Sequence, residues 1–188
     1  MPVLVDGGIC RFVRLAITPQ EIPELLKAHR RVWAPPDELE AVARALREGD
    51  FPEKRSAEFA ESVIRWGRGQ RFVDRFLHGN SATDIAAALR RAVDMADQGN
   101  VSRGVAEVQQ LNYLGQSFAS KLVRFLCPDR AVILDDVIRS SLGYMDTREG
   151  YDEFLADCTA VLNLAREQCP SLRVCDVEAA IFAKLQGC

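Results

Sequence analysis

The sequence predicts an all-α domain built of many short helices, with a small N-terminal β element. Three observations predict it. Apolar residues recur at helical spacing through nearly everything after Thr18. Prolines, acids and capping residues open these stretches, and glycines close several of them. Only residues 2–16, PVLVDGGICRFVRLA, carry two short apolar runs around Asp6-Gly7-Gly8, a pattern suited to a β-hairpin or an ordered extended arm.

Taken in order, Thr18-Pro19-Gln20-Glu21 opens the helical stretch ELLKAHRRVW, and Pro35-Pro36-Asp37-Glu38 opens LEAVARALREG, where Gly49 supplies the stop. Helices follow over Ser56 to Trp66, Gln70 to Leu77, and Ala82 to Ala96, the last capped by Ser81 and ended before Gly99-Asn100. Five more cover Val101 to Leu111, Ser117 to Leu126, Asp135 to Leu142, Arg148 to Glu167 and Val174 to Leu185. There is no repeat, low-complexity tract or long linker, so the chain reads as one compact domain over 1–188. It has an N-terminal arm at 1–18, a core at 55–145 and C-terminal helices at 146–188.

A chain of 188 residues with 48% apolar content is long enough for one good core. Its net charge of −3 gives no global basic signature, so any nucleic-acid contact has to come from a local patch. From Glu61 to Arg130 there are ten basic residues against seven acids, a local +3, and the acidic excess lies in the flanks. Cys10, Cys127, Cys158, Cys169, Cys175 and Cys188 are scattered without a CxxC pair, which argues against zinc, an iron–sulfur cluster or a disulfide framework. No apolar run suits a membrane span and MPVLVDGGIC lacks signal-peptide character, so the expected setting is cytoplasmic.

The informative stretch is LNYLGQSFASKLVRFLCPDRAVILDD, Leu111 to Asp136. Helical periodicity lapses over Asn112 to Gln116 and resumes with Phe118, Leu122 and Phe125 or Leu126 on one face. That describes two helices joined by a tight hairpin within 101–126. Ser117, Lys121 and Arg124 share the opposite face at spacings of four and three. Free N–H groups at the second helix start, beside Gly115, suit a phosphate. Ala131-Val132-Ile133-Leu134 reads as a buried connector ending at Asp135, which can cap the next helix or face a cleft lined by the same apolar run. Asp136 reads as a cap or surface acid.

These residues resemble the helix-hairpin-helix DNA glycosylase superfamily, and most closely small bacterial 8-oxoguanine-glycosylase-like proteins. The family hairpin runs L-P-G-V-G-x-[K/S]-x-A, followed some eighteen residues after the K/S position by an aspartate in a V/L-D-x-x-V/I context. Leu111 to Ala119 matches the hairpin and Leu134-Asp135-Asp136-Val137-Ile138 the aspartate motif, with 135 − 117 = 18. The chain departs from the pattern at Asn112 and Tyr113, which replace the proline and first glycine. Ser117 stands where lyase members carry their Schiff-base lysine, and the iron–sulfur cysteine spacing is absent.

The resemblance implies a glycosylase-type bundle and a monofunctional enzyme. It would flip a modified base out of double-stranded DNA and hydrolyse its N-glycosidic bond, without lyase activity. Bond breaking builds positive charge on the sugar, so an ionised carboxylate and a water are needed, and Asp135 is the catalytic candidate. Leu114, Gly115, Gln116, Ser117 and Arg124 are the candidates for gripping the DNA backbone. Lys121 is a phosphate contact or, with a depressed pKa, a nucleophile. Trp66, Tyr113, Phe118, Tyr151 and Phe154 are candidates for a base pocket or wedge, although core packing is the commoner use of such residues.

Trp66 stands out by lying in the arginine- and glycine-rich stretch Arg65 to Arg71. His29 and His78 show no partner pattern, and His78 suits a helix C-terminus. No metal and no cofactor is implied, beyond a monovalent cation at the hairpin, and the expected state is a monomer. The target is an oxidised purine in repair, or a bulky modified cytosine of phage DNA in defence. A non-catalytic hairpin module that only binds DNA or a protein, and a helical domain with coincidental spacing, are the alternatives.

Overall fold

Three short antiparallel strands lead into ten helices in the computed structural model, which describes residues 4–6, 8–33 and 35–187. Strand β1 (Leu4–Asp6) pairs with β2 (Ile9–Arg11) in the register Leu4↔Arg11 and Asp6↔Ile9. The predicted hairpin therefore forms, and β3 (Ala16–Ile17) extends it through Cys10↔Ile17. Gly7 of the predicted turn, and Cys188, lie outside the described residues.

The helices are α1 (Ile22–Val32), α2 (Asp37–Glu48), α3 (Glu53–Trp66), α4 (Val73–Gly79) and α5 (Ala82–Asp97). They continue with α6 (Val101–Val108), α7 (Gln116–Leu126), α8 (Asp136–Leu142), α9 (Arg148–Ala165) and α10 (Val174–Leu185). Each predicted helix is present, and the differences lie at the ends. Helix α3 begins earlier, because Pro52 can open a helix but cannot continue one from before. Helix α6 stops at Val108 rather than Leu111, because the next N–H groups, of Gln110 and Leu111, bond three residues back to Glu107 and Val108, which tightens the chain into a turn. Ser81 caps α5 as expected, its side chain accepting from the Asp84 N–H at 3.1 Å.

The chain gathers into two compact units, residues 35–131 and residues 1–34 with 132–188. Local periodicity carries no information on which distant helices share a core, and pairing of the N-terminal segment with the C-terminal helices makes the second unit discontinuous. In the unit of 35–131, α5 packs on α3, α6 and α7, and α2 packs on α3 and α7. Its buried residues include Phe59, Phe76, Ile85, Leu89, Leu122 and Phe125. In the other unit α10 packs on α1, α8 and α9, and Ile17, Ile22, Tyr151 and Phe154 are fully enclosed. Gly143, at φ +84°, ends α8 in a left-handed turn that only glycine adopts cheaply. No helix among the described residues is long and apolar enough to cross a membrane.

Two tests follow from this packing. A Cβ at Gly104 would lie 2.6 Å from the Ala92 carbonyl oxygen, where α6 crosses α5. Gly104→Ala should therefore cost about 1–3 kcal/mol by overpacking, read from chemical denaturation midpoints. Glu21 receives Lys184 Nζ at 2.6 Å and the Thr18 N–H at 2.8 Å, and these bonds, the lysine's first, hold its carboxyl below the ordinary glutamate value of 4.5. A depressed folded-state pKa stabilises above the unfolded value and is lost as pH falls through the folded one. Glu21→Gln should be less stable than wild type at pH 7 by under about 1 kcal/mol, since the pair is part-exposed, and the gap should close as melting is repeated below pH 4.5.

Candidate active site

The connector from Ala131 to Leu134 is irregular and fully buried, so its backbone polar groups cannot look to water. Tyr151, on α9, meets that need at Val132, where its hydroxyl donates to the carbonyl at 2.9 Å and lies 3.2 Å from the N–H as acceptor. Helix α8 starts where the connector ends. Asp135 is its N-cap, and a single oxygen, Oδ1, accepts from both Val137 N–H and Ile138 N–H at 3.1 Å. Asp135 is half-buried, while Asp136 points outward and pairs with Arg139 at 2.6 Å; Arg139 also pairs with Asp146. The adjacent acids thus divide into a cap at the end of a rigid connector and a surface charge.

The second cluster lies in the unit of 35–131, where α6 and α7 pack against each other across Gln109 to Gly115. Gly115 is the N-cap of α7 and offers no side chain, so no side-chain cap covers the first turn. Leu114 and Gln116 are buried, Ser117 is half-buried and Gly115 is exposed. The link is bolted to the end of α4 by two asparagines. Asn80 Oδ1 accepts from the Asn112 N–H at 2.8 Å, Asn80 Nδ2 donates to the Asn112 carbonyl at 3.1 Å, and Asn112 Nδ2 donates to the Gly79 carbonyl at 2.7 Å. Sequence reading missed this pair, since Gly79-Asn80 signals only a turn and the partner lies thirty-two residues away.

The face expected to carry Ser117, Lys121 and Arg124 outward is turned inward along most of its length. Lys121 is 6% exposed, and its Nζ donates to the Ser117 hydroxyl at 3.0 Å and carbonyl at 3.3 Å, lying 5.1 Å from the Phe118 ring centre. Room for its stem comes from Gly67, where a Cβ would sit 2.9 Å from both Lys121 Cδ and Phe118 Cε1. Arg124 is 5% exposed and bonds Glu40 at 2.7 Å, a buried pair that ties α7 to α2. Its guanidinium is committed inside the fold and is not presented to a DNA backbone. Helical spacing had identified the shared face correctly, but not what covers it.

The aromatic candidates separate by burial. Tyr151 is enclosed as the connector's partner, and Phe154 is enclosed beside Tyr144, so neither presents a wedge. Trp66 is half-buried edge-on to Phe125 at 4.9 Å, and Phe118 is half-buried against Phe72 at 4.8 Å. Tyr113 alone among the described aromatics is exposed, at 58%. A buried polar pair that sequence reading did not single out joins the segment after α8 to α9, where the Tyr144 hydroxyl donates to Asp157 at 2.6 Å. Burial first, then that bond to a carboxylate, pushes the phenol far above its ordinary value.

Among the cations between Glu61 and Arg130, Arg65 is held by Glu61, Arg90 by Asp50, Arg91 by Glu107, Arg124 by Glu40 and Arg130 by Asp97. Arg71, Arg75 and Arg103 are exposed and form no ion pair among the described residues. The local +3 is thus a few open arginines rather than a uniform basic face. Among the described residues no group of three or more histidine, cysteine, aspartate or glutamate side chains is arranged to hold a metal ion.

No curated protein and no solved structure matches the chain. A family model does: that described as "Putative 8-oxoguanine DNA glycosylase OGG-like protein" matches residues 37–182, a span that takes in both the α6–α7 hairpin and Asp135. With that match over most of its length, on an all-α bundle of glycosylase type, the chain belongs to this OGG-like family.

Proposed function

We propose that this protein is a monofunctional glycosylase that takes a modified base out of double-stranded DNA and hydrolyses its N-glycosidic bond, leaving an abasic site. The observation that carries this reading is the geometry of Asp135. Its Oδ1 accepts from the N–H groups of both Val137 and Ile138, so the start of α8 fixes the carboxylate at the end of the buried connector. In the reaction the carboxylate stabilises the positive charge that develops on the deoxyribose, and a water adds to the sugar carbon as the base leaves with the bonding electrons. The hairpin around Gly115 supplies the grip on the phosphate backbone. Ser117, a hydroxyl at the position of the lyase lysine, limits the reaction to hydrolysis.

Lys121 acts as a cation near the hairpin, not as the nucleophile, because its amine already donates to Ser117. The substrate is an oxidised purine or a bulky modified cytosine of phage DNA. These targets share one requirement, a base that leaves the stack at low cost or fills a pocket that ordinary bases do not.

The competing reading, a module that only binds, is favoured by the position of Asp135 as the N-cap of α8, where its Oδ1 accepts from Val137 and Ile138 N–H. Wild type, Asp135→Asn and Asp135→Ala separate the two. Oligonucleotides carrying 8-oxoguanine, uracil or alkylated bases, and phage DNA with hydroxymethylated or glucosylated cytosine, would be scored for strand scission after alkali. A glycosylase should give alkali-dependent scission on at least one of them, reduced by Asp135→Asn on the order of 10²-fold or more. Asparagine caps about as well as aspartate, so the same variant should melt with wild type, while Asp135→Ala should lose about 1 kcal/mol. Scission unaffected by Asp135→Asn would remove the catalytic role.

A further inference from the structure

Tyr113 occupies a backbone conformation that a bulky residue rarely takes. Its φ is +68°, in the left-handed region where a side chain clashes with its own carbonyl and glycine does not. Nothing in the core requires an aromatic there, because the side chain is 58% exposed. Strain of this kind persists only where the surroundings enforce it. The Asn80–Asn112 amide pair fixes the backbone on one side of Tyr113, and buried Leu114 fixes it on the other.

The ring itself is seated deliberately. It lies along Gly79, where a Cβ would come within 2.8 Å of Tyr113 Cε2, and the Arg75 guanidinium sits 5.9 Å from the ring centre. Arg75 and His78, three apart on α4, are both exposed. Asp74, the neighbouring carboxylate of the same helix, is exposed too, and its backbone carbonyl lies 2.6 Å from His78 Nδ1.

From this arrangement we infer that Tyr113 and Arg75 form a stacking surface for an unpaired nucleotide of the bound DNA strand, the base lying on the phenol ring and its phosphate meeting Arg75. A flat ring held rigidly in the open beside an unpaired cation fits a partner that is itself flat and anionic. The inference rests on the proposed action on DNA and deepens it: this hairpin holds DNA through a side chain at its tip as well as through backbone N–H groups at the start of α7.

The test uses a single-stranded oligothymidylate of about 12 nucleotides carrying one 2-aminopurine, whose fluorescence is quenched on stacking. Wild type and Tyr113→Phe should bind and quench alike. Tyr113→Gly should bind about tenfold more weakly or worse, without quenching, while its thermal midpoint does not fall, because glycine suits that backbone. Gly79→Ala, which displaces the ring, should weaken quenching with Tyr113 still present. Equal binding by Tyr113→Gly, loss in Tyr113→Phe equal to that in Tyr113→Gly, or no binding by wild type would each overturn the surface. Abasic-site formation scored on the same proteins separates the two ideas. Scission with equal binding across the Tyr113 variants defeats the surface alone, and stacking without scission on any substrate defeats the glycosylase reading alone.

Discussion

The hydroxyl of Tyr151 on the backbone of Val132 is the contact on which the candidate carboxylate depends. A fully buried segment outside helix and strand has to find partners for its N–H and C=O groups, since leaving one unsatisfied costs on the order of 1–3 kcal/mol. A phenol can both donate and accept, so one side chain serves both groups of one residue. Tyr151 was a candidate for a base pocket; its enclosure gives it this structural use instead. Three residues along the same segment, Asp135 begins α8. Its position follows from a buried connector upstream and two backbone donors downstream, and neither end leaves it free to wander.

The other unit shows the same economy in polar groups. Arg124 and Glu40, both nearly enclosed, pair across the α2–α7 contact, and removing either would leave an uncompensated charge inside the fold. Lys121 is also drawn inward, over a glycine that makes the space. What remains at the surface near the hairpin is Tyr113 with Arg75, and there the backbone accepts strain that a glycine would have avoided.

The match to the OGG-like family covers residues 37–182 and so includes the α6–α7 turn and the start of α8. The turn is rebuilt around an amide pair, with Asn112 bonding Asn80 and Gly79 in a clamp that reaches from α4 to the hairpin. A turn held by side chains can tolerate a residue whose own preference points elsewhere, which is why a tyrosine stands in a left-handed conformation here.

The helices, their order, the hairpin and the capping role of Asp135 could all be read from the sequence, because periodicity, proline, glycine and capping chemistry act over a few residues. The interval of eighteen between Ser117 and Asp135 was equally visible, and it carried the family. Only the tertiary structure decided that the chain forms two units, that Arg124 and Lys121 turn inward, that Tyr151 braces the connector and that Tyr113 stays exposed. Glu40 lies eighty-four residues from Arg124 and Asn80 thirty-two from Asn112. Burial and pairing at such separations depend on which surfaces meet when the helices pack, and no local pattern records that.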